Sequence, residues 1–284
     1  MPYLPTEIPN AKVLITVKTY PLPSNDHGEV VCTAGLLENG KWIRMYPISA
    51  SMYDDKKYPK YSWVEIDLIK HPTDFRIESY MPKRGLDEPI YFINKIGTDD
   101  YWAARKEYVH QEVFTSMDKL ISLSKSEDRS LGTLKPLKIV DFVWEETERD
   151  WKPKKLAALK QLGLFELDDA GQAQYKRPIR KLPYNFKYKF LSEGDTNPRT
   201  LSIHDWEIGA LFWKSLRQTD GDEDAAKALV RQRYFDEFVP QKDILLFLGT
   251  TYEFHRRRVE NPFIIIGVFY PTKTQQLSLF APVI

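Results

Sequence analysis

The side chains best suited to chemistry are His204, Asp205 and Glu207, an imidazole and two carboxylates in one short stretch, with Asp243 and His255 at the two ends of a later hairpin. Carboxylates with an imidazole can hold a divalent cation that activates water for phosphodiester cleavage. The same three residues open a helical segment, where acidic side chains complement free N–H groups and the helix dipole with no chemistry implied. Cations suited to phosphate cluster twice. Phe254-His-Arg-Arg-Arg258 gathers Arg256, Arg257 and Arg258 at a loop tip, either as a phosphate clamp or as a solvated loop paired with Glu253 and Glu260. Lys176-Arg-Pro-Ile-Arg-Lys181 supplies Arg177, Arg180 and Lys181 and runs into Tyr184-Asn-Phe-Lys-Tyr-Lys-Phe190. There the alternation gives either rings that stack on bases between backbone-tracking cations, or a core face with lysines outside. Arg44 stands between Trp42 and Tyr46 at period two, so the three share a strand face, as a packed cluster or as a base-reading one.

These residues need a scaffold, and 284 residues with 42% hydrophobic and 13% aromatic content are enough for one large domain or two smaller ones. The net charge of +1 means that any nucleic-acid surface must come from local clustering of Lys and Arg. The single cysteine, Cys32, excludes an internal disulfide framework and a cysteine-rich zinc site, and fits a reducing cytoplasm. No apolar run approaches the length of a bilayer crossing, and the N-terminal stretch carries prolines rather than a basic-then-apolar signal, so a cytoplasmic protein with no membrane partner is expected. Polymerase, ligase and helicase motifs, Gly-rich phosphate loops and His-Glu-x-x-His are all missing. A divalent metal is implied only if the chain is a nuclease.

Taken in order, the pattern predicts an α+β protein. Branched residues from Lys12 to Lys18, the runs flanking the Asn39-Gly40 hairpin signal, Ser62 to Ile69 and Ile90 to Ile93 predict an antiparallel, barrel-like β module over residues 1–95. Residues 96–165 read as a helical connector with two helices between Thr98 and Lys125, a loop at Ser130 to Pro136, a strand at Leu137 to Trp144 and a short helix at Lys154 to Leu162. Residues 166–271 read as a mixed α/β half. It has a helix at Leu201 to Arg217 opened by Ser202, a second at Ala225 to Phe238 ended by Pro240, and a central hairpin of Ile244 to Leu248 with Phe263 to Phe269 across the loop Gly249 to Asn261.

Residues 272–284 contain Gln276-Leu277-Ser278-Leu279-Phe280, with Ala281 to Ile284 behind it. A terminal peptide of this kind offers one bidentate amide, Gln276, and three apolar anchors, Leu277, Leu279 and Phe280, for pockets on a partner; the same alternation suits a last edge strand. The pentapeptide resembles the segment by which many bacterial DNA-processing proteins dock onto the replicative sliding clamp, and the resemblance covers these five residues alone. It implies a DNA-associated accessory protein in replication, repair, a mobile element or phage defence, with the clamp and DNA or RNA as partners. A metal-dependent nuclease or nucleotide-modifying enzyme, and a protein adaptor without nucleic-acid binding, stand as alternatives. The stretch around Tyr184 and His204-Asp-Trp-Glu207 also loosely resembles a bacterial family in which cysteines recur in the intervening loop. Ser192 to Thr200 holds none here, so no zinc site carries over.

Overall fold

The computed structural model describes residues 4–24, 28–49, 58–153, 165–167, 173–175 and 180–273. The first part contains β1 (Glu7–Lys18), β2 (Leu22–Ser24), β3 (Gly28–Leu37), β4 (Trp42–Ser49), β5 (Ser62–Lys70), β6 (Ser79–Pro82) and β7 (Tyr91–Lys95). Asn39-Gly40 makes the β3–β4 turn, with Gly40 at φ 72°, a conformation that a Cβ would strain. Five of these strands close into a ring. β1 pairs with β3, β3 with β4, β4 with β6, β6 with β5, and β5 returns to β1; every pair is antiparallel except β4–β6. Val13, Ile15, Ile43, Met45, Val64, Ile66, Leu68 and Tyr80 fill the interior. The short β6 supplies the parallel closure and has no apolar alternation of its own, so the sequence pattern misses it.

The chain continues with α1 (Asp99–Val109), β8 (Val113–Phe114), α2 (Met117–Ser126), β9 (Leu131–Leu134), β10 (Lys138–Glu146), β11 (Phe165–Leu167), β12 (Ala173–Tyr175), β13 (Tyr184–Leu191) and β14 (Arg199–Ser202). It ends with α3 (Trp206–Gln218), α4 (Glu223–Arg231), α5 (Phe238–Gln241), β15 (Leu245–Thr250), α6 (Tyr252–Arg256) and β16 (Phe263–Phe269). One sheet runs β10-β13-β14, and another β16-β15-β9-β8, so β8 and β9, from the segment expected as a connector, pair onto the C-terminal hairpin. The α+β class with a barrel-like N-terminal module is as expected.

Several local expectations change. Ser130 to Pro136 is not only loop: Leu131–Leu134 forms β9 and is wholly buried, because β15 offers its free edge there. The helix expected from Leu201 starts at Trp206. Leu201 and Ser202 extend β14 beside β13, and the helix cap is Asp205, not Ser202. Pro240 sits in the last turn of α5, since a wide turn at Gln232–Glu237 carries the helical path onward from α4. The connection after Gly249 contains α6. The helix expected at 154–162 lies outside the described residues.

The β15–β16 hairpin is apolar without alternation because both its faces are covered. Leu245, Phe247, Ile266 and Phe269 pack on Val17, Ala34, Leu36 and Trp42 from the outside of the barrel. Leu246, Leu248, Ile265 and Val268 face the opposite way, into the aromatic core of β10, β13, α3 and α4. A Cβ on Gly267 would come within 3.3 Å of Val17 and 3.0 Å of Phe247, so glycine there lets β16 approach the barrel. Phe247→Ala removes a fully buried ring that meets Trp42 edge-on at 5.3 Å. It should cost about 3–5 kcal/mol. Because the ring belongs to the shared face, barrel and C-terminal half should still lose structure together in one urea transition; two separated transitions in the wild-type chain would show that the faces are not coupled.

Candidate nucleic-acid interface

The structure does not bring the five expected catalytic residues together. Asp205 is fully buried and caps α3 by accepting a hydrogen bond from the Glu207 backbone N–H at 3.2 Å. Lys60, which precedes β5, reaches both the Asp205 and the Glu207 carboxylates at 3.2 Å. Burial pushes the Asp205 carboxyl up to about 6 against the pull of Lys60. Burial alone would lower the Lys60 ammonium, but the two carboxylates hold it above its ordinary value. His204 is bound through its backbone, donating to the Ile265 carbonyl at 2.7 Å and accepting from the Tyr20 N–H at 3.0 Å. These residues join the barrel to α3 and β16.

The other two occupy opposite ends of β15. Asp243, just before the strand, pairs with Lys135. His255, on α6 beyond it, has Nδ1 2.9 Å from the Thr250 hydroxyl and Nε2 3.7 Å from Asp128. At ~3.3 Å per residue, the intervening strand keeps them on the order of 20 Å apart. Among the described residues no three His, Cys, Asp or Glu side chains converge as a metal would require. The expected metal-hydrolysis site is therefore corrected to three separate sets of contacts: a helix cap with a buried ion pair, the Asp243–Lys135 pair, and a buried histidine. The acidic residues at the helix start follow from the cap alone.

Arg44 is also corrected. It lies on the outer face of β4 but is 4% exposed, because that face meets β9 and β15 instead of solvent. Its guanidinium donates to the Thr250 and Ser130 carbonyls, each at 3.3 Å. Beside it Arg76 donates to the Thr250 carbonyl at 2.8 Å and is held by Asp74 at 2.6 Å. Glu78 accepts from the backbone N–H and hydroxyl of Ser130; burial pushes its carboxyl up, opposed by those bonds and by Arg44. This is a buried polar seam between barrel and sheet, and within it Arg44 is not available to read a base. The rings of Tyr184, Phe186, Tyr188 and Phe190 are likewise core, so bases cannot stack on β13.

What remains on the surface is the end of the central hairpin. Thr251 caps α6 by accepting from the Phe254 N–H at 3.2 Å, which fixes this short helix just past β15. Tyr252 is 41% exposed, Phe254 44%, and Phe75, from the loop after β5, 39%. The Phe75 and Tyr252 ring centroids are 5.9 Å apart, and Phe75 rests edge-on against His255 at 5.2 Å. The exposed Arg256 guanidinium lies 5.9 Å from the Tyr252 ring. Arg257 pairs with Glu253 at 2.7 Å, whereas Arg258 is tied inward to Asp128 at 3.0 Å and to the Lys125 carbonyl at 2.6 Å. The arginine run therefore divides into two outward cations and one anchor. Phe75 and Tyr252 were not singled out by the sequence, although Tyr252 and Phe254 flank the arginines; Phe75 arrives from far along the chain.

The second basic cluster is partly described. Arg180 stacks at 3.9 Å on Trp213, and Lys181 pairs with Glu148 at 3.4 Å. Arg177 lies outside the described residues, as do Gln276, Leu277, Leu279 and Phe280. No helix among the described residues is long and apolar enough to cross a membrane.

Comparison with known proteins gives a family and little more. Residues 113–284, more than half of the chain, match the family described as Domain of unknown function (DUF8757). Residues 9–111 match a second, described as Domain of unknown function (DUF8758), so the junction between the two falls after α1. No curated protein matches the chain. One similar solved structure is described as "Structure and Conformational Change of a Replication Protein A Heterotrimer Bound to ssDNA", with a TM-score of 0.24 and 9% identity over 94% of this chain and 67% of that one. A likeness of that size carries no argument.

Burial lowers the imidazole of His255 from its ordinary value near 6.5. A base held below its unfolded value contributes stability above that value and loses it as pH falls through 6.5 toward the folded one. Between about pH 7.5 and 5.5 the wild-type chain should therefore lose more urea stability than His255→Asn; equal losses in the two proteins would show that this imidazole is not held neutral.

Proposed function

The chain belongs to the family described as Domain of unknown function (DUF8757), whose description assigns no activity, and from that premise we propose a nucleic-acid-binding accessory protein recruited to the bacterial replication sliding clamp. The observation that carries the nucleic-acid half is the patch of Phe75, Tyr252 and Phe254 beside Arg256 and Arg257, presented by a capped helix at the end of a rigid hairpin. Exposed rings offer stacking of about 1–3 kcal/mol per base, and outward guanidiniums pair with phosphate oxygens. The barrel supports the same reading. A five-strand circuit in which the third and fifth strands close in parallel is the topology of oligonucleotide-binding barrels. In that class the second and third strands commonly carry the ligand; here they are β3 and β4, whose outer faces are covered by β15 and β16. The ligand surface is accordingly assigned to α6 and the loop after β5.

The clamp half rests on the pentapeptide and on the surface position of the last described residues before it. Lys273 is fastened at the surface by its backbone N–H to the Gln241 carbonyl at 3.1 Å and by its ammonium to the Val239 and Pro240 carbonyls at 3.1 and 3.0 Å. Thr272 and Lys273 are exposed, and Gln276 comes three residues after Lys273 in the sequence. Docking at the clamp raises the local concentration of DNA, which lets a small patch suffice. The setting is replication, repair, a mobile element or phage defence, in the cytoplasm where the clamp works.

Two measurements test the halves separately. In a calorimetric titration with a bacterial clamp, Leu279→Ala with Phe280→Ala should weaken binding by roughly a thousandfold, since buried interface anchors contribute on the order of 2 kcal/mol or more each; undiminished affinity would end the clamp assignment. In mobility shifts with an oligonucleotide, Arg256→Ala with Arg257→Ala should flatten the slope of log affinity against log salt by about two units. An unchanged slope would remove these arginines from the interface.

A further inference from the structure

Between the β3–β4 turn and the segment that follows α2 lies a cavity of about 470 Å³. Trp42, Leu131 and Ile77 give it apolar surface; Asn39 and Gln111 bring side-chain amides; Glu112 and Glu127 bring carboxylates. Its size falls in the range of small-molecule sites, and the mix of one large ring, aliphatic groups and a few polar ones is typical of them. The polar groups restrict the chemistry. Arg129, also on the wall, is engaged at 2.6 Å by Glu112, and the buried Glu78 adds a further carboxylate. Three carboxylates against Arg129 and Lys41 disfavour a phosphate inside the cavity and favour a neutral ligand that donates hydrogen bonds.

The position of the cavity narrows the choice. Ile77, on its wall, is in the segment that carries Phe75, and its backbone N–H donates to the Asp128 carbonyl at 3.3 Å. Asp128 is next to Glu127 in the chain and pairs with Arg258. The wall is thus linked to the aromatic patch along the chain, by Ile77 two residues after Phe75 and by Glu127 next to the Asp128 that holds Arg258. We propose that this cavity receives a single unstacked nucleobase carrying an exocyclic amino group. Its plane lies against Leu4 and Ile77, the half-buried aliphatic side chains of the wall, its amino group donates to Glu127 or Glu112, and its sugar and phosphate stay outside, toward the patch. Reading a base by its edge between apolar walls is the usual way an extruded base is held. The inference rests on the nucleic-acid reading only in taking a nucleobase as the ligand class.

The test uses the full chain and free nucleosides in isothermal titration, with adenosine and cytidine as amino-bearing probes and uridine as the probe that lacks the amino group. Adenosine and cytidine should bind at least tenfold more tightly than uridine. Glu127→Lys, a change at an exposed position that replaces an acceptor with a donor, should reduce adenosine affinity at least tenfold while leaving the urea midpoint unchanged. Phe254→Ala with Arg256→Ala should weaken oligonucleotide binding and leave adenosine affinity as it was. Equal affinity for uridine, or no binding of any nucleoside at millimolar concentration, would overturn the inference. If the latter result came with oligonucleotide binding still sensitive to Phe254 and Arg256, the cavity assignment would fall and the surface reading would stand.

Discussion

The fold depends on one hairpin that must be buried on both faces. A β-strand offers alternate side chains to opposite sides, so a two-sided apolar hairpin can satisfy two cores only if each supplies a complementary sheet or helix layer. β15 and β16 do this with Phe247 and Phe269 toward the barrel and Leu246 and Val268 toward the aromatic core. Removing either layer would expose a continuous apolar sheet. The two sequence families that meet after α1 therefore describe parts of one packed structure.

That constraint also decides which charged side chains are available to a ligand. Once β3 and β4 are covered, Arg44 and Glu78 become interior groups whose hydrogen bonds must be found within the protein; Thr250 and Ser130 supply them. The two terminal nitrogens of Arg44 are satisfied in this seam while its Nε finds no partner, and losing an acceptor while the layers stay packed would leave further costly orphans. The Lys60 ion pairs with Asp205 and Glu207 are the counterpart at the α3 seam. Both seams use residue types that also serve in active sites. The strand end beyond Thr250 is where the two-sided burial stops, and there α6 turns Tyr252, Phe254 and Arg256 outward.

Much of this architecture is legible in the sequence, and the limits have physical causes. The Asn39-Gly40 turn, the alternating strand at Tyr184 and the two-sided runs at 245 and 263 carry their own local patterns, and each forms as expected. β6 and β9 do not, because they exist through pairing with distant partners: β4 and β5 for the first, β15 for the second. The helix start at Leu201 was misplaced because Ser202 and Asp205 are both good caps, and only the pairing of Ser202 with Lys187 selects Asp205. For the site, the arginine run lies on a segment that the structure places at the surface. The tethering of Arg258, unlike Arg256 and Arg257, depends on Asp128, and the contribution of Phe75 depends on the barrel docking, so neither has a local signal. His204, Asp205, Glu207, Asp243 and His255 do not converge, because β15 separates Asp243 from His255 and the other three are taken up by the cap and backbone contacts at the start of α3.

The central claim is that nucleic acid lies across the outer end of the hairpin and not across the barrel face that the fold class would suggest. Photocrosslinking to a single-stranded oligonucleotide containing bromouridine, followed by mass spectrometry of the linked peptides, addresses it directly. The account predicts crosslinks at Phe75, Tyr252 and Phe254, the exposed rings beside Arg256. Crosslinks confined to β3 and β4, or found only around Trp213 and Arg180, would contradict it.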